Sequence, residues 1–130
     1  MTRVTGPIRV LVVDGANVVG SRPDGWWRDR AGAGRRLAER LATARLPYDE
    51  VVLVLEGQAR NGQPPGQDRG VLTVHAPGSG DDAIVEAVQA QVAVGDGREV
   101  TVVTADRALR ARVEAAGAGS VGPSWLLDKP

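Results

Sequence analysis

Val12-Val13-Asp14-Gly15-Ala16-Asn17 closes an apolar run, Ile8 with Val10 to Val13, on a carboxylate and a glycine. A short, nearly continuous β-branched run suits a strand covered on both faces by helices. Open α/β sheets bind their ligands at the carboxyl ends of the strands, where Asp14 would stand. Gly15 permits a sharp turn there and puts no side chain over the carboxylate. An Asp after a strand also serves as a turn or helix cap, so this segment alone supports either reading. Its partners elsewhere decide.

Three further runs have the same character: Val51 to Leu55, Val71 to Val74 and Val100 to Val103. Between the first and second strands, Leu37, Leu41 and Ala44 fall at helical spacing with Arg35, Arg36, Glu39 and Arg40 outside, which predicts an amphipathic helix ending near Leu46-Pro47. Ile84, Val88 and Val92 mark a second helix closing before Gly95-Asp96-Gly97, and Leu109, Val113 and Ala116 a third stopped by Gly117. A last short strand falls around Ser120-Val121. Such alternation implies right-handed crossovers and a mostly parallel, three-layer α/β/α sandwich. Gly57 to Gly70, with Asn61-Gly62-Gln63-Pro64-Pro65-Gly66 inside it, is too polar and turn-rich to join a core. A loop of that length is often functional or mobile.

A chain of 130 residues can bury a core as one domain, 1–130, without disulfides. It has no cysteine, which excludes thiolate metal sites, cysteine nucleophiles and redox switching. Met1 to Pro7 lacks the apolar core of a secretory signal, and no stretch approaches the roughly 18 apolar residues of a membrane span. A soluble, cytoplasmic protein with no membrane partner is expected. Acidic and basic residues balance at 16 each, so no global positive field draws the chain to nucleic acid. All basic residues but one are Arg, several of them crowded between Arg28 and Arg45, and Arg suits phosphate contacts. The same excess follows from GC-rich coding.

Asp14 has company. Val102-Val103-Thr104-Ala105-Asp106-Arg107 again leads a strand into a polar turn and an acid. Gly78-Ser79-Gly80-Asp81-Asp82 precedes the second helix, with Asp81 as expected N-cap, Asp82 in the first turn and Glu86 one turn on along the same face. Glu56 closes the second strand. Four segments therefore deliver acids to one sheet edge, and carboxylates gathered within a few Å need protons or cations to share their charge. One His, no Cys and only oxygen donors point to Mg²⁺ or Mn²⁺ rather than Zn²⁺. Such a cation leaves coordination positions for water and phosphate oxygens, as metal-assisted phosphodiester hydrolysis requires.

Val13-Asp14-Gly15-Ala16-Asn17-Val18, Gly80-Asp81-Asp82-Ala83-Ile84-Val85-Glu86 and Val103-Thr104-Ala105-Asp106-Arg107 resemble, in order and spacing, the PIN-like nucleases, in particular the NYN branch and its YacP-like ribonucleases. The likeness runs from the first strand to the third helix. It implies a PIN-like sandwich, an Mg²⁺ or Mn²⁺ site and cleavage of single-stranded RNA by metal-activated water. Matched residue by residue, Asp14, Asp82 and Asp106 stand at the positions of the catalytic metal ligands. Asn17 would orient Asp14 or contact a phosphate, and Thr104 and Arg107 flank Asp106, with Arg107 as a phosphate grip or a surface ion pair. The chain departs from the pattern twice. Glu56 replaces the usual Asp, so that it reaches the site through water or misses it, and Asp81 is an extra acid beside Asp82, leaving either as the metal ligand.

A second reading, from a different class, is a catalytically inactive PIN-like domain acting as an RNA-binding or protein-interaction module. Position 56 and the zero net charge favour it; Asp14, Asp82 and Asp106 oppose it. Trp26 and Trp27 could stack unpaired bases, although packing of at least one under the first helix is the plainer expectation. Trp125, Leu126 and Leu127 are expected to dock the carboxyl end on the core, and His75 to be structural or exposed. No phosphate-loop motif exists, and a receiver-like domain would want a Lys near its later strands, where the only Lys is Lys129. A homodimer is compatible with short edge strands. Neither a ribosome nor an antitoxin is singled out as partner.

Overall fold

Val10, Leu11, Val12 and Val13 are all fully buried, both strand parities alike, because β1 (Arg9–Asp14) runs through the middle of a sheet with helices on each side. In the computed structural model, which describes residues 6–128, β1 lies between β2 (Glu50–Leu55) and β5 (Glu99–Val103), parallel to both. Val12 stands opposite Val52 on one side and Val102 on the other. With β3 (Gly66–Asp68), β4 (Val71–His75) and β6 (Gly119–Val121) the sheet has the order β3-β4-β2-β1-β5-β6. Only β3 is antiparallel to its neighbour. The mostly parallel α/β sandwich read from the sequence is the fold observed.

Strand parity divides the core in two. Val10, Val12, Val52, Val54, Val100 and Val102 face α3 (Gly80–Val92) and α4 (Arg107–Ala115), where Ile84, Val88, Leu109 and Val113 meet them. Leu11, Val13, Leu53, Leu55 and Val103 face α1 (Gly15–Gly20), α2 (Arg30–Thr43) and α5 (Pro123–Leu127), through Val18, Leu37, Leu41 and Leu126. The connection leaving β1 passes over one face toward β2. That leaving β5 passes over the other toward β6, so strand order reverses between β1 and β5. Open α/β sheets form their binding crevice at such a reversal.

Several local expectations are refined. Helix α2 stops at Thr43 and Ala44 is already extended, earlier than Leu46-Pro47. The residue before a proline is biased away from helical geometry, which gives this exit no reason to resume helix. The Gly57–Gly70 stretch is not irregular throughout: Gly57–Gly62 form a 3-10 turn and Gly66–Asp68 the edge strand β3. Asp68 pairs with Val71, so Arg69 (φ 49°) and Gly70 (φ 83°) are the two loop residues of a hairpin, both left-handed as a type I′ turn demands. Val92 is 42% exposed rather than part of a buried stripe, and Val94 beside it is exposed as well. Gly117 (φ 103°) follows α4 as the left-handed residue that ends it.

Leu126 is fully buried and Trp125 packs edge-on to Tyr48, which docks the carboxyl end as expected. His75 closes β4, its Nε2 2.7 Å from the carbonyl oxygen of Gln63. Lys129 lies outside the described residues. Among the described residues, no helix is long and apolar enough to cross a membrane.

Candidate active site

Asp14, Glu56 and Thr104 each continue the even parity of their strands, the parity that faces α3 and α4. All three therefore emerge at one sheet edge on one side of it. Asp14 is 4% exposed and Thr104 fully buried. The Thr104 hydroxyl donates to Asp14 Oδ2 at 2.9 Å and accepts the Asp106 amide at 3.2 Å. Its single proton is thereby committed to the carboxylate. The Asn17 amide donates to Asp14 Oδ1 at 3.3 Å, which makes Asp14 the N-cap of α1. Cap and candidate ligand are the same residue, and the two readings of Asp14 do not compete.

Gly15 holds this turn low on the sheet: a Cβ there would come within 2.5 Å of the Val54 carbonyl oxygen. Asn17 spends its side-chain oxygen on the Ala105 amide at 2.8 Å, tying α1 to the loop after β5. It positions that loop and leaves Asp14 to be oriented by its backbone.

Burial raises the Asp14 pKa above its ordinary value, the bonds from Thr104 and Asn17 oppose the shift, and the charges of Asp81 and Glu56 add to it. Glu56, the doubtful member at the sequence level, thus acts on Asp14. Its carboxylate lies against the start of α3, where a Cβ at Gly80 would be 2.5 Å from Oε1. The longer side chain reaches the edge and rests on a helix amino terminus, which favours negative charge.

Helix α3 separates the two candidate acids at its start. Ser79, not Asp81, is the N-cap, accepting the Asp81 amide at 3.2 Å. Both acids then occupy the first turn. Asp81 is half-buried and acts electrostatically on Asp14, whereas Asp82 is exposed and bonds Arg112 of α4 at 3.0 Å. Glu86, one turn after Asp82, is exposed too. The helical spacing of Asp81, Ile84 and Val88 carried this signal, since it sets Asp81 on the buried stripe and Asp82 off it.

Asp106 is a helix cap, its Oδ1 accepting the Leu109 amide at 3.0 Å. It is joined to Asp14 through Thr104. Arg107 is exposed on the first turn of α4. Asp14, Asp82 and Asp106 are therefore not drawn into one tight triad. Among the described residues, no three His, Asp or Glu side chains form a ready metal cage. The donors do suit a hard cation. Mg²⁺ is ordinarily held by one or two carboxylates, with waters and substrate phosphates completing its shell, and Asp14 with Asp81 and Glu56 offers oxygen ligands of that kind.

No protein-family model matches the sequence, and no curated protein does. Among solved structures, the backbone matches that of a mutant form of Rae1 (YacP) from Bacillus subtilis with a TM-score of 0.73. This chain has the fold of Rae1 (YacP). The match covers 93% of this chain and 74% of Rae1 (YacP) at 20% sequence identity. The likeness to YacP is one of backbone architecture, and it agrees with the family resemblance carried by the strand-end motifs around Asp14 and Asp106.

Proposed function

We propose that the chain is a metal-dependent endoribonuclease acting on single-stranded RNA at the edge marked by Asp14. The observation that carries this reading is the buried Asp14 carboxylate, oriented by Thr104 and charged against Asp81 and Glu56. A buried carboxylate that feels the negative charge of two other acids is an unfavourable arrangement that a bound cation would relieve. Asp14 and Asp81 would hold Mg²⁺ or Mn²⁺, with Glu56 and Asp106 reaching it directly or through water. Such a cation supplies Lewis-acid activation of water and charge neutralisation at the phosphodiester.

The remaining work falls to the protein. Thr104 and the Asn17 amide fix the Asp14 oxygens, and the Asn17 side chain fixes the loop that carries Asp106. Among the described residues Arg107 makes no ion pair, unlike Arg112, and it is the proposed phosphate grip. No protein nucleophile is invoked. A cytoplasmic setting goes with RNA as substrate.

The absence of a ready three-acid cage among the described residues favours the second reading, an RNA-binding module without catalysis. Incubation of unstructured RNA with Mn²⁺ separates the two. Asp14→Asn is expected to lower cleavage by on the order of 100-fold or more, since even outer-shell changes around metals cost 10 to 100-fold. Equal cleavage by both proteins would remove the proposed site, and no cleavage by the wild type would leave the module.

A further inference from the structure

A cleft of about 250 Å³ opens directly beside the acid edge. Its floor is Gly15 and Ala16, immediately after Asp14. One wall is Trp26 with Arg30, and the other is the turn from Glu56 to Ala59. This volume lies just below the roughly 300 Å³ at which drug-sized sites begin, the scale of one planar ring system rather than a larger ligand.

The wall chemistry is selective. Trp26 is half-buried, held edge-on by Trp27 at 5.9 Å between ring centroids and covered by the Arg30 guanidinium at 5.3 Å. An indole and a guanidinium plane are the groups on which unpaired bases stack. Opposite them the Glu56–Ala59 turn closes the cleft, the Glu56 carboxylate itself being turned toward the start of α3. Trp27 is 49% exposed and carries Arg28 at 6.0 Å, which extends the aromatic and cationic surface outward from the cleft mouth. Trp26 is thus the partly packed member of the pair and Trp27 the exposed one.

We propose that the cleft between Trp26 and the Glu56–Ala59 turn receives one unpaired nucleobase of the substrate strand, next to the phosphodiester presented to Asp14. The proposal rests on the reading of the acid edge as RNA-directed. It makes Trp26 a substrate-positioning residue.

An abasic scan tests it. A short unstructured RNA carrying a single abasic residue at successive positions is titrated against the wild-type protein in EDTA, so that binding is read without cleavage. One position is expected to weaken binding about tenfold, within the range for base–aromatic stacking. Trp26→Ala should bind the intact RNA as weakly as wild type binds that abasic one, and be indifferent to the abasic position. Trp26→Phe, which keeps a ring in place, should restore the positional effect in part. A flat scan on wild type, or a positional penalty that survives in Trp26→Ala, overturns the proposal, as does failure to bind the RNA at all. The cleavage assay with Mn²⁺ fails independently. Cleavage with a flat scan removes the base cleft and leaves the nuclease, whereas a positional penalty without cleavage removes the nuclease and leaves the cleft.

Discussion

The Asp14 carboxyl keeps its proton more readily than an exposed one, because burial withdraws water from the charged form and Asp81 and Glu56 repel it. The consequence for stability has a definite sign. An acid whose pKa is higher folded than unfolded adds no penalty below its ordinary value of 3.8. The penalty grows as pH rises through that value toward the folded pKa and stays constant beyond it. Asp14→Asn should therefore melt at a higher temperature than wild type at pH 7, and the gap should close on acidification to about pH 3, below the unfolded carboxyl pKa. Thermal denaturation of both proteins across that range measures it. A gap that widened in acid would show that Asp14 is held by favourable bonds rather than strained by burial. Thr104 is the reason the strain is tolerated: a hydroxyl already accepting the Asp106 amide has only its proton to give, and it gives it to Asp14.

At the scale of elements, α3 offers the sharpest test, because neighbouring residues on one helical turn face different surroundings. Asp81→Asn should lower cleavage on the order of tenfold or more, whereas Asp82→Asn should change it little and cost no more than about 1 kcal/mol, the value of an exposed ion pair. The reverse result in the same assay would return the ligand role to Asp82. Much of this architecture was legible in the residues. Runs such as Val51 to Leu55 are too short and too β-branched for helix, and Leu109 with Val113 too regularly spaced for strand. Helix α1 was not legible, since six residues give no period. Nor was β3, whose Gly66-Gln67-Asp68 are all exposed and carry no core pattern. The convergence of Asp14 and Glu56 was readable from strand ends. The outward turn of Asp82 was carried by the helical spacing of Asp81, Ile84 and Val88, and the capping of α4 by Asp106 is a local bond to the Leu109 amide; strand-end patterns alone encode neither. A second test at this scale concerns α2. A Cβ at Gly34 would come within 2.7 Å of the Ala59 carbonyl oxygen, and one at Gly62 would strike the Ala31 carbonyl. Gly34→Ala should destabilise the fold by about 1–3 kcal/mol in denaturant titration, the usual cost of overpacking; an unchanged midpoint would mean that the two backbones part easily.

For the whole molecule, zero net charge conceals an uneven distribution. Between positions 22 and 45 seven Arg face three acids, and among the described residues Arg35 and Arg36 are exposed and make no ion pair. This arginine-rich flank includes Arg30 at the Trp26 cleft, while the acids stand at the opposite rim of the same edge. RNA binding should accordingly weaken with salt, with a log–log slope of about −2 if three Arg engage phosphates, and Arg35→Ala with Arg36→Ala together should flatten it. Salt-independent binding would place RNA elsewhere. The contact of α2 with the 3-10 turn at Gly34 and Gly62 has a mechanical meaning as well. Helix α2 carries Arg30 at its start, and the turn begins one residue after Glu56, so the two walls of the cleft are clamped to each other through glycine-width backbone contact. If that contact holds, the opening between them works as a jaw of set width rather than a hinge, and Gly34→Ala, by pushing the turn away from the helix, should alter the fit of a strand that enters it.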